Sequence, residues 1–319
     1  MELRRLGRSD LHLAPLMFGG NVFGWTADEA TSYRLLDTFV DAGFNAIDTA
    51  DVYSTWVEGH QGGESETIIG QWLKKRGGRD KLIIATKVGS EMGAEKKGLS
   101  KGYILRAVEE SLKRLQTDYI DLYQSHQDDD KTNQEETCDA YAQLVKQGKV
   151  RVIGASNFSA ERLASALKVS GAKHGPRYES LQPCYNLYDR WDYEGAVQDL
   201  CVKEEIGVIS YFSLASGFLT GKYRKKEDLG QSQRGEDIGK YLDARGQRIL
   251  AALDQVAAQY KVKPAQVALA WLLTRRGITA PIASATSLTQ LESLIGAAQL
   301  QLDTAALALL TQASDRMAG

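Results

Sequence analysis

Short apolar and β-branched runs alternate along this chain with longer stretches of helical period. Eight runs read as strands: LMFGG near Leu16, FNAIDTA near Ile47, KLIIATKV near Ile84, YIDLYQS near Leu122, VRVIGAS near Val152, ESLQPCY near Leu181, GVISYFS near Ile209 and APIASA near Ile282. Between them the period becomes helical. In KGYILRAVEESLKRLQ, Ile104, Leu105, Val108, Leu112 and Leu115 share one face, and Glu109, Glu110, Lys113 and Arg114 fall largely on the other. In PAQVALAWLLTRR, Pro264 suits a first helical turn, and Val267, Ala270, Trp271 and Thr274 continue an apolar stripe. The opening segment predicts a small hairpin, LRRL and LHLA, turned at GRSD. After the seventh strand a polar, glycine-dotted interval from Leu214 to Gly246 predicts a long functional loop. Eight strands with intervening helices predict a (β/α)8 TIM barrel with a short N-terminal β-hairpin and a long loop after strand 7.

The competing doubly wound sheet carries Gly-x-Gly-x-x-Gly after its first strand, and neither that spacing nor a Walker A motif occurs here. Gly19, Gly20 and Gly24 read more simply as a turn after the first barrel strand. No Pro/Ser/Gly-rich hinge separates two cores, so residues 1–319 are expected to form a single domain.

Composition narrows the function classes. With 43% hydrophobic and 25% charged residues and a net charge of −2, the chain has no general attraction to nucleic acid or anionic lipid. No apolar run approaches the roughly 20 residues needed to cross a bilayer, and no secretory signal is read at the N-terminus. Cys138, Cys184 and Cys201 show no CxxC spacing and are expected to be reduced thiols in a cytoplasmic protein. His12, His60, His126 and His174 are scattered without paired ligand spacing, so no metal site is expected.

Asp48 and Tyr53 in IDTADVYS, Lys87 in IATKVG and His126 in DLYQSH each follow a strand-like run. A β/α chain gathers such residues at one end of the sheet. Their types suit carbonyl reduction by hydride. A tyrosine can protonate the developing alkoxide if a neighbouring cation brings its pKa, ordinarily about 10, closer to working pH. Lys87 can supply that charge, Asp48 can pin the ammonium, and His126 can hydrogen-bond the substrate oxygen. Singly, each residue has a plainer structural reading, as a packing tyrosine, a core histidine or a structural salt bridge.

IDTADVYS, GGESETIIG, IATKVG, DLYQSH, VIGASNFS, LQPCYNL and GVISYFSLASGFLTGKY resemble, in order and spacing, the motifs of the aldo-keto reductase family. The resemblance covers nearly the whole chain. It implies a nicotinamide dinucleotide bound extended at the C-terminal face of the barrel, with Tyr53 as general acid/base, Lys87 and Asp48 as its tuning pair, and His126 orienting the substrate. It further implies that Ser156, Asn157 and Gln182 hold the nicotinamide carboxamide and that Tyr211 stacks on the ring. Phe212, Ser213, Leu214, Ser216, Gly217, Leu219 and Lys222 resemble the loop that covers the pyrophosphate. Small residues and backbone N–H groups suit close approach to phosphate oxygens.

The adenosine end departs from the family pattern. Ser284, Thr286 and Ser287 stand where many members carry a basic residue, Ser293 and Leu294 replace a Glu-Asn pair, and Gln290 keeps its place. Hydroxyls bind a phosphate or a ribose diol alike, so NADP(H) is the favoured cofactor on the resemblance and NAD(H) the alternative. Arg234, on the long loop, is the candidate source of charge for an added phosphate. Trp25 and Trp56 are candidate walls of a pocket for a small-molecule carbonyl or alcohol. Two other classes remain open: a dinucleotide-binding regulatory protein like the potassium-channel β subunits, and a Schiff-base barrel enzyme using Lys87 as nucleophile.

Overall fold

A computed structural model of the chain describes residues 1–231 and 235–316. Strands β1 (Arg4–Arg5) and β2 (His12–Leu13) pair antiparallel as the N-terminal hairpin. Eight parallel strands follow: β3 (Met17–Gly19), β4 (Ala46–Asp48), β5 (Ile83–Val88), β6 (Ile120–Ser125), β7 (Val150–Ser156), β8 (Tyr178–Gln182), β9 (Gly207–Val208) and β10 (Ile282–Ala283). They are neighbours in that order, with β10 beside β3. The remaining seam is closed by backbone bonds from Thr279 N to Val208 O and from Ile282 N to Ser210 O, both 2.8 Å. The sheet is therefore a barrel, as the alternation of runs predicts.

The connecting helices are α1 (Glu29–Asp41), α2 (Glu64–Arg76), α3 (Lys101–Leu115), α4 (Gln134–Lys146), α5 (Ala160–Lys173) and α6 (Ala196–Lys203). After β9 come three 3-10 segments, Ala215–Thr220, Lys226–Gln231 and Gly235–Tyr241, which occupy the long loop. Helices α7 (Ala244–Tyr260) and α8 (Pro264–Leu273) then lead to β10, and α9 (Leu288–Ala297) and α10 (Thr304–Ala313) end the fold. Side-chain caps start the helices where the sequence offers an acceptor, as with Asp28 for α1, Ser100 for α3, Asn133 for α4 and Ser287 for α9.

Two apolar clusters hold these layers together. One lies between strands and helices. The other fills the barrel with Met17, Ala46, Ile83, Ala85, Leu122, Val152, Ile209, Ala280 and Ile282, joined by Leu6, Leu11 and Leu13 of the hairpin. Two helical faces differ from the sequence pattern. In α3, Ile104, Val108, Leu112 and Leu115 are buried, but Arg114 reaches back from the polar face to buried Glu66 at 2.7 Å. Helix α8 is buried nearly all round, including Ala268, Leu269 and Leu272, and Thr274 is its exposed C-cap rather than part of a stripe. The reason is placement: α7, α9 and the Ala215–Thr220 segment all pack on α8.

Candidate active site

Along a strand, alternate side chains face the barrel interior. The lower inward positions are apolar (Ala46, Ile83, Ala85, Leu122), and the next inward position toward the C-terminal end is polar on four strands: Asp48, Lys87, Gln124 and Gln182. All four are at most 2% exposed. The Lys87 ammonium has three protons and finds three acceptors: Asp48 Oδ2 at 2.7 Å, Thr49 O at 2.7 Å and Tyr53 Oη at 3.1 Å. Burial alone would push the Lys87 pKa down, but Asp48 and then Tyr53 outweigh it and the net shift is upward. The other oxygen of Asp48 accepts from Gln182 Nε2 at 2.9 Å and Gln124 Nε2 at 3.4 Å. Asp48 is thus held in one orientation, with the ammonium against the phenol oxygen.

His126 follows β6, and its N–H donates to Val88 O at 2.8 Å. Its ring lies edge-on to Tyr53 with centroids 6.0 Å apart. Burial, with Lys87 adding to it, pushes its pKa down to about 3, so the imidazole is neutral near pH 7. Nδ1 is buried without a hydrogen-bond partner among the described residues.

Asn157 links the ends of three strands. Its Nδ2 donates to His126 O and to Ser156 Oγ, both at 3.1 Å, and its Oδ1 accepts from Tyr211 Oη at 2.8 Å. Its φ of 59° lies in the left-handed region, which asparagine tolerates. Ser156 Oγ donates to Gln182 O at 2.8 Å.

A cleft of about 770 Å³ opens beside this cluster. Asp48, Tyr53 and Trp25 line one end, and Ser284, Thr286, Ser287 and Gln290 line the segment leading into α9. Between them lie Tyr211, Phe212, Ser213, Leu214, Ser216, Gly217 and Lys222. Lys87, His126, Ser156, Asn157 and Gln182 sit behind or beside the lining, and Trp56 packs edge-on to Tyr53 and Trp25 at 5.7 and 5.6 Å. Leu219 is fully buried in the core, with its N–H taken by Leu214 O. Arg234 lies outside the described residues.

The middle of the cleft has an unusual backbone. Phe212, Ala215 and Ser216 have φ of 51°, 48° and 56°, followed by Gly217 at 100°. Left-handed residues cost energy outside glycine and gather at ligand clamps, where successive N–H groups turn toward one point. Close approach also explains Gly19, since a Cβ there would sit 2.4 Å from Ser284 Oγ. Asn21, Lys263, Thr289 and Ser293 line the cleft as well and carry no motif that singles them out. Asn21 Oδ1 accepts from Ser284 Oγ at 2.7 Å.

The family model described as "Aldo/keto reductase family" matches residues 15–315. This chain belongs to the aldo/keto reductase family. It is 34% identical to the uncharacterized oxidoreductase YrpG of Bacillus subtilis over 97% of this chain and 95% of that protein. It is 32% identical to the L-glyceraldehyde 3-phosphate reductase of Escherichia coli K12, over 93% and 87% of the two chains. It is also 33% identical to a probable voltage-gated potassium channel subunit beta of rice, over 91% and 89%. These relatives thus span oxidoreductases and a channel subunit.

The Schiff-base alternative is weakened by this member's own geometry. A Schiff-base nucleophile must be a neutral, accessible amine, whereas Lys87 is fully buried, has its pKa raised and spends all three protons on acceptors. Among the described residues no three His, Cys, Asp or Glu side chains come together as metal ligands. No helix among them is long and apolar enough to cross a membrane.

Proposed function

We propose that this protein is a nicotinamide-dependent oxidoreductase that interconverts an aldehyde or ketone and the corresponding alcohol. The observation that carries the reading is the chain Asp48–Lys87–Tyr53, which ends at the wall of a long cleft. The cleft fits an extended dinucleotide: an aromatic residue, Tyr211, beside the polar cluster, a left-handed backbone run at its middle, and hydroxyls at the far end. Ser156, Asn157, Gln182 and Tyr211 would hold the nicotinamide end, Phe212 to Lys222 the pyrophosphate, and Ser284 to Gln290 the adenosine end. When bound, the reduced nicotinamide supplies the hydride.

Tyr53 donates its proton to the carbonyl oxygen as charge develops there, and takes it back in the reverse direction. Lys87 stabilises the phenolate left behind, because a cation in hydrogen-bond contact favours the charged form. Asp48 keeps the ammonium in place, and neutral His126 orients the carbonyl. Trp25 would wall the substrate side of the cleft, with Trp56 packed edge-on against it and Tyr53. We place the protein in the cytoplasm, a reading supported by three free cysteines, two of them buried.

Consumption of NADPH and NADH should be measured against aldehydes, ketones, sugars and steroid-like ketones. Turnover with at least one class is expected, and Tyr53→Phe should lower it about a hundredfold or more while dinucleotide affinity stays close to that of the parent. Near-normal turnover of folded Tyr53→Phe would remove Tyr53 from the proton-donor role. The rice relative motivates a second reading, a dinucleotide-binding channel subunit. Dinucleotide binding without turnover on any carbonyl would favour it.

A further inference from the structure

Among the described residues two cations line the cleft, Lys222 and Lys263. Lys222 follows the left-handed segment, next to Gly221. Lys263 comes from a different element, the residue before α8, and its position can be fixed from its neighbours. Helix α8 leads down to β10, so its first turn lies at the C-terminal end of the barrel, where the cleft opens. Pro264 lies against Gly221, 3.6 Å from where a Cβ there would stand, and Gln266 lies against Gly296 of α9, 2.4 Å from a Cβ at that glycine. Lys263 is therefore set between the end of the Ala215–Thr220 segment and α9, at the far end of the cleft from Tyr53.

Its surroundings suit an anion. Lys263 is exposed, and among the described residues no carboxylate pairs with it. The neighbouring loop cation, Arg224, is already committed to Asp254 through two bonds of 2.8 and 2.7 Å. At this end the lining is otherwise hydroxyls, Gln290 and apolar groups, and the cleft's sole carboxylate among the described residues is Asp48, tied to Lys87 at the opposite end. Ser293 Oγ lines the same end, buried and without a hydrogen-bond partner among the described residues. Selection for a ribose diol commonly uses a carboxylate that accepts from the 2′-hydroxyl, and selection for a 2′-phosphate uses a cation. The second arrangement is the one built here.

We infer that Lys263 is the specificity-determining cation for the 2′-phosphate, so that this chain selects NADP(H) over NAD(H) through a residue of α8 rather than through the segment following β10. The inference rests on the dinucleotide reading above. It assigns charge selection to Lys263, with the hydroxyls of Ser287 and Ser293 as neutral donors.

Calorimetric titration of the full chain with NADPH, NADH and 2′,5′-ADP reads this without turnover. The wild type should bind NADPH about tenfold to a hundredfold more tightly than NADH. Lys263→Ala should remove most of that ratio by weakening NADPH and 2′,5′-ADP, leaving NADH within about twofold, and Lys263→Arg should restore much of it. The NADPH affinity of the wild type should fall with added salt more steeply than that of the variant. Arg234→Ala is the rival arm. A ratio unchanged in Lys263→Ala, abolished in Arg234→Ala instead, or favouring NADH in the wild type overturns the inference while the dinucleotide reading stands. Failure of the wild type to bind either dinucleotide overturns both.

Discussion

The polar residues of the site do not act one by one, because most of them share one hydrogen-bond network. Lys87 is surrounded by three acceptors, and Asp48 receives two amides besides the ammonium. His126 is the exception, a neutral ring with a buried, unpartnered Nδ1. Its depressed pKa of about 3 fixes two signs. The folded state binds fewer protons than the unfolded state between about pH 3 and an unfolded pKa near 6.5. His126 therefore contributes stability that is present above about pH 6.5 and is lost as pH falls toward 3. Its ring nitrogens should show no titration between pH 5 and 8 in NMR spectra of the labelled protein, and kcat/KM should have no inflection from it there. Ring protonation near pH 6.5 would mean that the site is wetter than the structure shows. At this scale much was legible: Asp48, Tyr53, Lys87 and His126 all follow apolar runs. Thr49 was not, because it acts through a backbone carbonyl, which any residue type supplies. Gln124 was readable in principle, since it alternates with Leu122 on an inward strand face.

Elements explain how those side chains stay in register. Asn157 joins the residue after β6 to Tyr211 after β9, and it does so from a left-handed backbone position. Asn157→Ala removes both links and places alanine where that conformation costs roughly 1–2 kcal/mol. Including the lost hydrogen bonds, the variant should be less stable by about 2–4 kcal/mol in urea denaturation, and the freed Tyr211 ring should bind dinucleotide more weakly. Unchanged stability and affinity would show that the bridge holds nothing in place. The sequence names Asn157 and Tyr211 through motifs but gives no sign that they touch, because residues 54 apart meet only once the barrel closes. Helix α8 teaches a related point. PAQVALAWLL contains no charged residue, a composition that fits burial on all sides better than a stripe. A stripe ending at Thr274 leaves one face open, and the partners that cover it, α7, α9 and the Ala215–Thr220 segment, meet α8 only in the closed fold.

Across the whole molecule, work is divided between the two ends of one barrel. The C-terminal end carries the polar layer and the cleft, and the opposite end is stoppered by the hairpin, whose Leu6, Leu11 and Leu13 complete the interior apolar cluster. In such barrels chemistry sits at the C-terminal face and residues at the N-terminal face serve stability. The hairpin itself was legible from LRRL-GRSD-LHLA, but its role as a stopper was not, since two-residue strands give no hint of which surface they cover. Separation of the two ends makes a quantitative expectation possible. Leu11 is 1% exposed, so Leu11→Ala leaves a cavity and should cost about 2–5 kcal/mol in chemical denaturation. Because the cavity opens at the end away from Tyr53 and Lys263, dinucleotide affinity and turnover per folded molecule should stay within about twofold of the parent. Strands that run through the barrel could carry strain upward from the stopper to Asp48, Lys87 and Gln182. In that event Leu11→Ala would lower turnover at temperatures where it is fully folded, and the division between a stabilising end and a reacting end would not hold for this chain.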